Sequence, residues 1–187
     1  MPATHGDRPT RAQLAAARGQ RVPDLIAPDL KVLFCGINPS LYSAVVGHHF
    51  ARPGNRFWPT LHRAGFTPRI LTPAEERELL QAGIGITNVV PTASASADEL
   101  DAEDYTRGSR VLSRKLRRYR PAVIAFLGLG AYRLAAAQPR ATVGRQPQPF
   151  VGVEAWALPN PSGLNAHYQL DALAACYAEL ARAVSGR

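Results

Sequence analysis

Apolar residues fall into short runs that alternate with segments patterned for helices. Lys31–Gly36 (KVLFCG) is a continuous apolar run stopped by glycine, as expected of a strand buried on both faces of a parallel sheet. GITNVV (Gly85–Val90) reads as a short strand, AVIAFLG (Ala122–Gly128) repeats the run-then-glycine pattern, and PFVGVEAWALP (Pro149–Pro159) gives one or two strands. Between them lie helical signals. NRFWPTLHRAGF is a short helix with Pro59 in its first turn, and TPAEERELLQAG is a helix over 72–83, capped by Thr72, led by acids and ended by Gly83. YTRGSRVLSRKLRRYR is a basic amphipathic helix with Val111, Leu112, Leu116 and Tyr119 on one side. GAYRLAAAQ and YQLDALAACYAELARAV are further helices. INPSLYSAVVGHHFARPGN (37–55) is expected to be a long loop, and PTASASADELDAED and NPSGLN are loops that follow strands. The alternation predicts an α/β fold, a three-layer α/β/α sandwich around a mainly parallel central sheet. In such sheets ligands bind beyond the carboxyl ends of the strands, where these loops lie. Residues 1–23 are polar, with at most a short helix at RAQLAAARGQ, and read as a flexible arm preceding one domain over 24–187.

Charge adds a partner class. Lys and Arg number 22 against 14 Asp and Glu, so the formal net charge is 22 − 14 = +8, and this favours a polyanion because each neutralised phosphate releases condensed counterions. Cys35 and Cys176 each sit in an apolar stretch and read as core thiols of a reducing compartment. Two cysteines without C-x-x-C and five scattered histidines assemble neither a four-cysteine cluster nor a tetrahedral zinc site. No apolar run reaches membrane-spanning length and MPATHGDRPTR lacks a signal core, so the chain reads as cytoplasmic. No G-x-G-x-x-G or G-x-x-x-x-G-K-[ST] follows a strand, which disfavours a nucleotide-binding α/β protein.

Three segments carry more specific chemistry: GINPS (Gly36–Ser40), GHHFARPGNRFW (Gly47–Trp58) and LPNPSGLN (Leu158–Asn165). In this order, each behind a strand, they resemble the mismatch-specific uracil and thymine-DNA glycosylase family, from about Pro28 to the last helix. The resemblance implies the same three-layer fold, no metal or organic cofactor, and a monofunctional DNA N-glycosylase. Such an enzyme extrudes uracil, or thymine and related damaged pyrimidines, from mismatched double-stranded DNA and hydrolyses the N-glycosidic bond. It also implies a monomer of bacterial, nucleoid-associated type with no membrane partner. A non-catalytic mismatch- or lesion-binding protein is the alternative.

The resemblance assigns roles residue by residue. Asn38 orients the attacking water through its amide oxygen without taking its proton, where faster uracil glycosylases carry an acid (D-P-Y against N-P-S here). Phe50 stacks on the flipped base, the backbone at Ile37 donates to a pyrimidine carbonyl, and Asn88 influences pyrimidine choice. Asn160 stands where faster enzymes have a histidine that stabilises the leaving oxyanion. Leu164 is the wedge that fills the vacated stack, and Gly163 and Asn165 bring backbone close to the widowed guanine. Ala166-His167 replaces the basic residue many relatives place next. Adjacent His48 and His49 shape the pocket or contact phosphate. From the residues themselves, the acidic run Asp98, Glu99, Asp101, Glu103 and Asp104 suggests helix capping, with Asp98 a further candidate carboxylate for the water. The arginines of the basic helix fit phosphate contact or a solvated face equally.

Overall fold

The computed structural model describes residues 8–186. Its five strands, β1 (Val32–Gly36), β2 (Ile84–Asn88), β3 (Val123–Leu127), β4 (Gly144–Arg145) and β5 (Glu154–Leu158), form one sheet in the order β2-β1-β3-β5-β4. All pairings are parallel except that of the edge strand β4 with β5. The helices are α1 (Arg11–Ala16), α2 (Leu41–Val46), α3 (Phe57–Arg63), α4 (Glu78–Gln81), α5 (Ala102–Tyr119), α6 (Leu129–Ala135) and α7 (Leu170–Val184).

Strand alternation explains both the uninterrupted apolar runs and the layers. Val32 and Phe34 join one core with Phe57 and Leu61 of α3 and Tyr177 and Leu180 of α7. Leu33 and Cys35 point the other way, onto Leu112 and Leu116 of α5 and Tyr132 of α6. The three-layer α/β/α sandwich is thus present. Phe34 is fully buried, edge-on to Phe57 and Phe66 and stacked with Tyr177. Burying such a side chain is worth roughly 1.5–3 kcal/mol. The two cysteines are free and pack against different cores, and burial raises the Cys35 thiol far above its ordinary range. Among the described residues no helix is long and apolar enough to cross a membrane.

Three expectations are corrected. The loop expected over 37–55 contains α2, capped by Ser40, whose hydroxyl accepts from the Ser43 N–H, and ended by Gly47 in the left-handed conformation. The helix expected over 72–83 has its capping box, with Thr72 N–H donating to Glu75 Oε2 at 2.8 Å. It breaks, however, into a 3-10 turn (Pro73–Glu75) and the short α4. Between the two, the Glu76 carboxylate turns inward to accept from the His49 N–H (2.9 Å) and to pair with the His48 ring (3.1 Å).

The third concerns the expected arm at 1–23. Residues 1–7 lie outside the described residues, but from Thr10 onward the segment is docked. Ala17 and Val22 are buried, and Gly19 and Gln20 exchange backbone hydrogen bonds with Ala93. Arg21 pairs with Thr92 and Leu25 with Ile86, so this strap lies along the outer side of β2. Asp24 fastens it, accepting from Thr87 Oγ1 and the Lys115 ammonium. Packing therefore crosses the boundary expected at residue 24.

Candidate active site

Parallel register brings Gly36 of β1 beside Asn88 of β2. With Leu127 at the end of β3, they floor a cavity of about 380 Å³ beyond the strands' carboxyl ends. Ile37, Asn38, Phe50, Asn88, Asp98, Asn160, Leu164 and Asn165 line it, whereas Gly163 lies outside, in the rim loop.

Asn38 follows β1 on the sharp turn that leads into α2. Its Nδ2 donates to Thr92 O (3.2 Å) and to Ser94 Oγ (2.8 Å), and the Ser94 hydroxyl passes its own hydrogen to Ser96 O (2.7 Å). Both amide hydrogens are thereby spent, the orientation of the amide is fixed, and Oδ1 remains as an acceptor. Among the described residues, the backbone N–H groups of Ile37 and Asn38 find no protein acceptor.

Gly36 is glycine because nothing larger fits. A Cβ there would stand 2.5 Å from Asn88 Oδ1 and 3.4 Å from the Phe50 ring. Asn88 is 5% exposed, and its amide makes no side-chain hydrogen bond among the described residues, so a donor and an acceptor sit side by side, unspent, at the floor. Phe50 adopts a left-handed backbone (φ 52°) and stacks on Phe57 with centroids 4.1 Å apart. That strained turn is held by Glu76 through His48 and His49, and by the His49 ring, whose Nε2 meets Pro23 O at 3.0 Å. Burial holds the His49 imidazole below the ordinary histidine range, so it serves this loop as a neutral Nε2–H donor. Among the described residues no three His, Cys, Asp or Glu side chains gather as a metal ligand set.

The loop over 160–168 forms another part of the rim. Asn160 Oδ1 accepts from the Ser162 N–H (2.9 Å), which leaves its NH2 as the donor, and Asn165 Nδ2 returns to Asn160 O (2.9 Å). Asn165 Oδ1 also takes the His167 N–H (3.1 Å), so the Asn165 side chain is used inside the loop. At its tip Leu164 is 76% exposed, held by Leu164 N–H to Ser162 Oγ.

The acidic run separates by function. Asp101 is the N-cap of α5, in a reciprocal capping box with Asp104. Glu103 and Asp104 pair with Arg107, and Glu99 pairs with Arg18. Of the five carboxylates only Asp98 lines the cavity, where it accepts from Ser96 Oγ (3.2 Å).

The basic helix runs the other way. α5 starts beside the cavity and ends at Tyr119, with Arg120 as its C-cap, just before the amino end of β3. Arg114, Arg117, Arg118 and Arg120 therefore lie toward the far end of the sheet, away from any DNA seated in the cavity, and Lys115 is turned inward onto Asp24.

Sequence reasoning missed Ser94, Glu76 and Arg56. Arg56 stood within the GNRFW motif, but nothing in the sequence marked its partners. In the structure it donates to the carbonyls of Ser162, Gly163, Asn165 and Tyr168.

Comparison with known proteins fits this geometry. A solution structure, that of a "putative Uracil DNA glycosylase" from Methanosarcina acetivorans, superposes with a TM-score of 0.60 at 20% identity. The match covers 88% of this chain and 98% of that one, and at this identity it speaks for the fold. The model of the uracil DNA glycosylase superfamily matches residues 23–181, nearly the whole of the described fold. The chain belongs to the uracil DNA glycosylase superfamily and has the role of a DNA N-glycosylase.

Proposed function

We propose that the protein flips uracil out of mismatched duplex DNA into this cavity and hydrolyses its N-glycosidic bond, leaving an abasic site. The observation that carries the reading is the division of polar groups around one cavity. An acceptor, Asn38 Oδ1, faces from the β1 turn and a donor, Asn160 NH2, from the rim loop, while an unspent amide, Asn88, lies on the floor.

Bond cleavage develops positive charge on the sugar and negative charge on the departing base. The acceptor holds the water that attacks the sugar, and the donor meets a base oxygen as it becomes anionic. The Asn88 donor–acceptor pair matches the carbonyl and N–H on one edge of uracil. A free amide can also rotate, which supports a range that includes thymine and related damaged pyrimidines. The ring of Phe50, backed by Phe57, offers a stacking face, and the volume suits a small planar ligand. Both polar groups are neutral amides, so the chemical step is slow relative to enzymes with an acid and a histidine there.

The test is single-turnover incubation with duplexes carrying uracil opposite guanine and opposite adenine, followed by alkaline cleavage of abasic sites. Accumulating breaks at the uracil of the mismatched duplex are expected. Tight binding of that duplex without breaks would replace this reading by that of a mismatch-binding protein.

Two variants probe the roles. Leu164→Ala should slow base release by about tenfold on paired uracil, and less on uracil in an unpaired bubble, because the wedge offsets the few kcal/mol needed to open a pair. Equal losses on the two substrates would remove the wedge. Asp98→Asn should lower the single-turnover rate, by up to about 10²-fold if its carboxylate polarises the water, with lesion affinity intact. Because Asp101, not Asp98, caps α5, little loss of melting temperature should accompany it. An unchanged rate across pH would leave the water oriented by Asn38 alone.

A further inference from the structure

The rim loop that presents Leu164 has no regular secondary structure, yet its tip is a bare apolar side chain, 76% exposed. Its internal bonds, from the Ser162 N–H to Asn160 Oδ1 and from Asn165 Nδ2 to Asn160 O, fix the loop's own shape. They do not fix where that shape sits relative to the cavity. Tyr168 packs against the core at one end of the loop, and the loop's hydrogen bonds to the rest of the fold come from Arg56.

Arg56 Nη2 donates to Ser162 O (3.1 Å), Gly163 O (3.0 Å) and Asn165 O (2.9 Å), and Nη1 donates to Tyr168 O. Its backbone N–H donates to Pro161 O at 2.9 Å. Arg56 is itself the N-cap of α3, whose Phe57, Trp58 and Leu61 are buried in the core, so the guanidinium stands on a rigid base. Alongside, a Cβ on Gly163 would meet Gly54 O at 2.4 Å, which shows how tightly the two segments interlock.

We propose that Arg56 is the positioning residue of the wedge. One planar fork of donors gathers the carbonyls of the Ser162–Tyr168 segment and sets the height and direction of Leu164 above the cavity. It touches neither base nor sugar and acts through the loop. The assignment rests on reading Leu164 as a wedge. Two consequences follow from the chemistry. A lysine cannot replace it, since an ammonium on a flexible stem is a point charge without the fork geometry. The ordering of an exposed loop, otherwise a cost of binding, is met in advance in the free protein.

The experiment compares Arg56→Lys, Arg56→Ala, Leu164→Ala and the Arg56→Lys/Leu164→Ala double variant. The readout is the ratio of single-turnover rates on paired uracil and on the same uracil in an unpaired bubble, with melting temperatures measured in parallel. General destabilisation lowers both rates together and leaves the ratio in place, whereas a misplaced wedge lowers the ratio. The expected result is a severalfold fall for Arg56→Lys, no larger than that of Leu164→Ala, and a double variant no lower than Leu164→Ala alone, because the two act as one unit. If Leu164→Ala leaves the ratio unchanged, the wedge reading falls and this assignment with it. If Leu164→Ala lowers the ratio but neither Arg56 variant does, or if the two effects multiply, the Arg56 assignment alone is overturned.

Discussion

Replacing Asn38 by alanine is expected to cut the single-turnover rate of base release by about 10²-fold or more while DNA binding stays within a small factor. The magnitude is what misplacing one reactant costs, and it equals about 2.7 kcal/mol at 1.36 kcal/mol per decade. Affinity should hold because the Asn38 amide acts on the water, which matters in the transition state and little in the ground-state complex. The fold should hold too, since Asn38 is only half-buried and its loss leaves Ser94 Oγ still bonded to Ser96 O. Rapid-quench measurement of abasic-site formation, beside a fluorescence titration of a lesion duplex, checks both halves. A near wild-type rate would sink the assignment. The same network shows why Asn38→Asp is no simple gain. Its second oxygen would replace a donor facing Thr92 O (3.2 Å) and Ser94 Oγ (2.8 Å), setting a carboxylate against a carbonyl oxygen.

Gly36→Ala should be nearly as damaging, for a steric reason. The added methyl would stand 2.5 Å from Asn88 Oδ1, closer than real contacts allow, so the amide must swing away from the floor while the methyl presses on the Phe50 ring. Backbone strain does not enter, because Gly36 is not among the glycines with positive φ. Folding should therefore survive with a modest loss of stability, and lesion affinity and base-release rate should together fall about 10²-fold. If the damage passes through Asn88, the Gly36→Ala/Asn88→Ala double variant is little worse than Gly36→Ala alone, the non-additivity expected of neighbours in contact. Fully additive losses would place the effect elsewhere in the floor.

How far the sequence could be read depended on the range of the interactions. β1 and β3 were legible because both of their faces are buried, so Val32–Cys35 and Val123–Leu127 carry no polar interruption. The six-residue α2 was hidden because a helix so short shows no full apolar period, and only Ser40 and Gly47 mark its ends. The helix expected over 72–83 carried genuine capping signals, but a distant demand, the His49 N–H on Glu76, overrode local propensity. The same logic governs the site. Asn38, Phe50, Asn160 and Leu164 sit in recognisable motifs and all reach the cavity. Ser94, Glu76 and Arg56 act on partners tens of residues away, Asn38, His49 and Gly163 among them. One sequence carries no record of those pairings. The acidic run likewise gave no sign of which carboxylate caps α5, because Asp98 and Asp101 differ only in where the chain turns.

The docked N-terminal strap has a consequence for how the molecule behaves in a crowd. β2 is one of the two edge strands of the sheet, and an edge strand offers unpaired N–H and C=O groups as a template for another chain. Here Leu25 and Ile86 exchange both backbone hydrogen bonds (2.9 and 2.7 Å), and a Cβ on Gly85 would meet Leu25 O at 2.6 Å. The strap thus occupies the place a neighbouring copy would take. Edge covering and the candidate site thus fall to neighbouring stretches of one chain: residues 21–25 fill the outer side of β2, while the loops that follow the strands line the cavity.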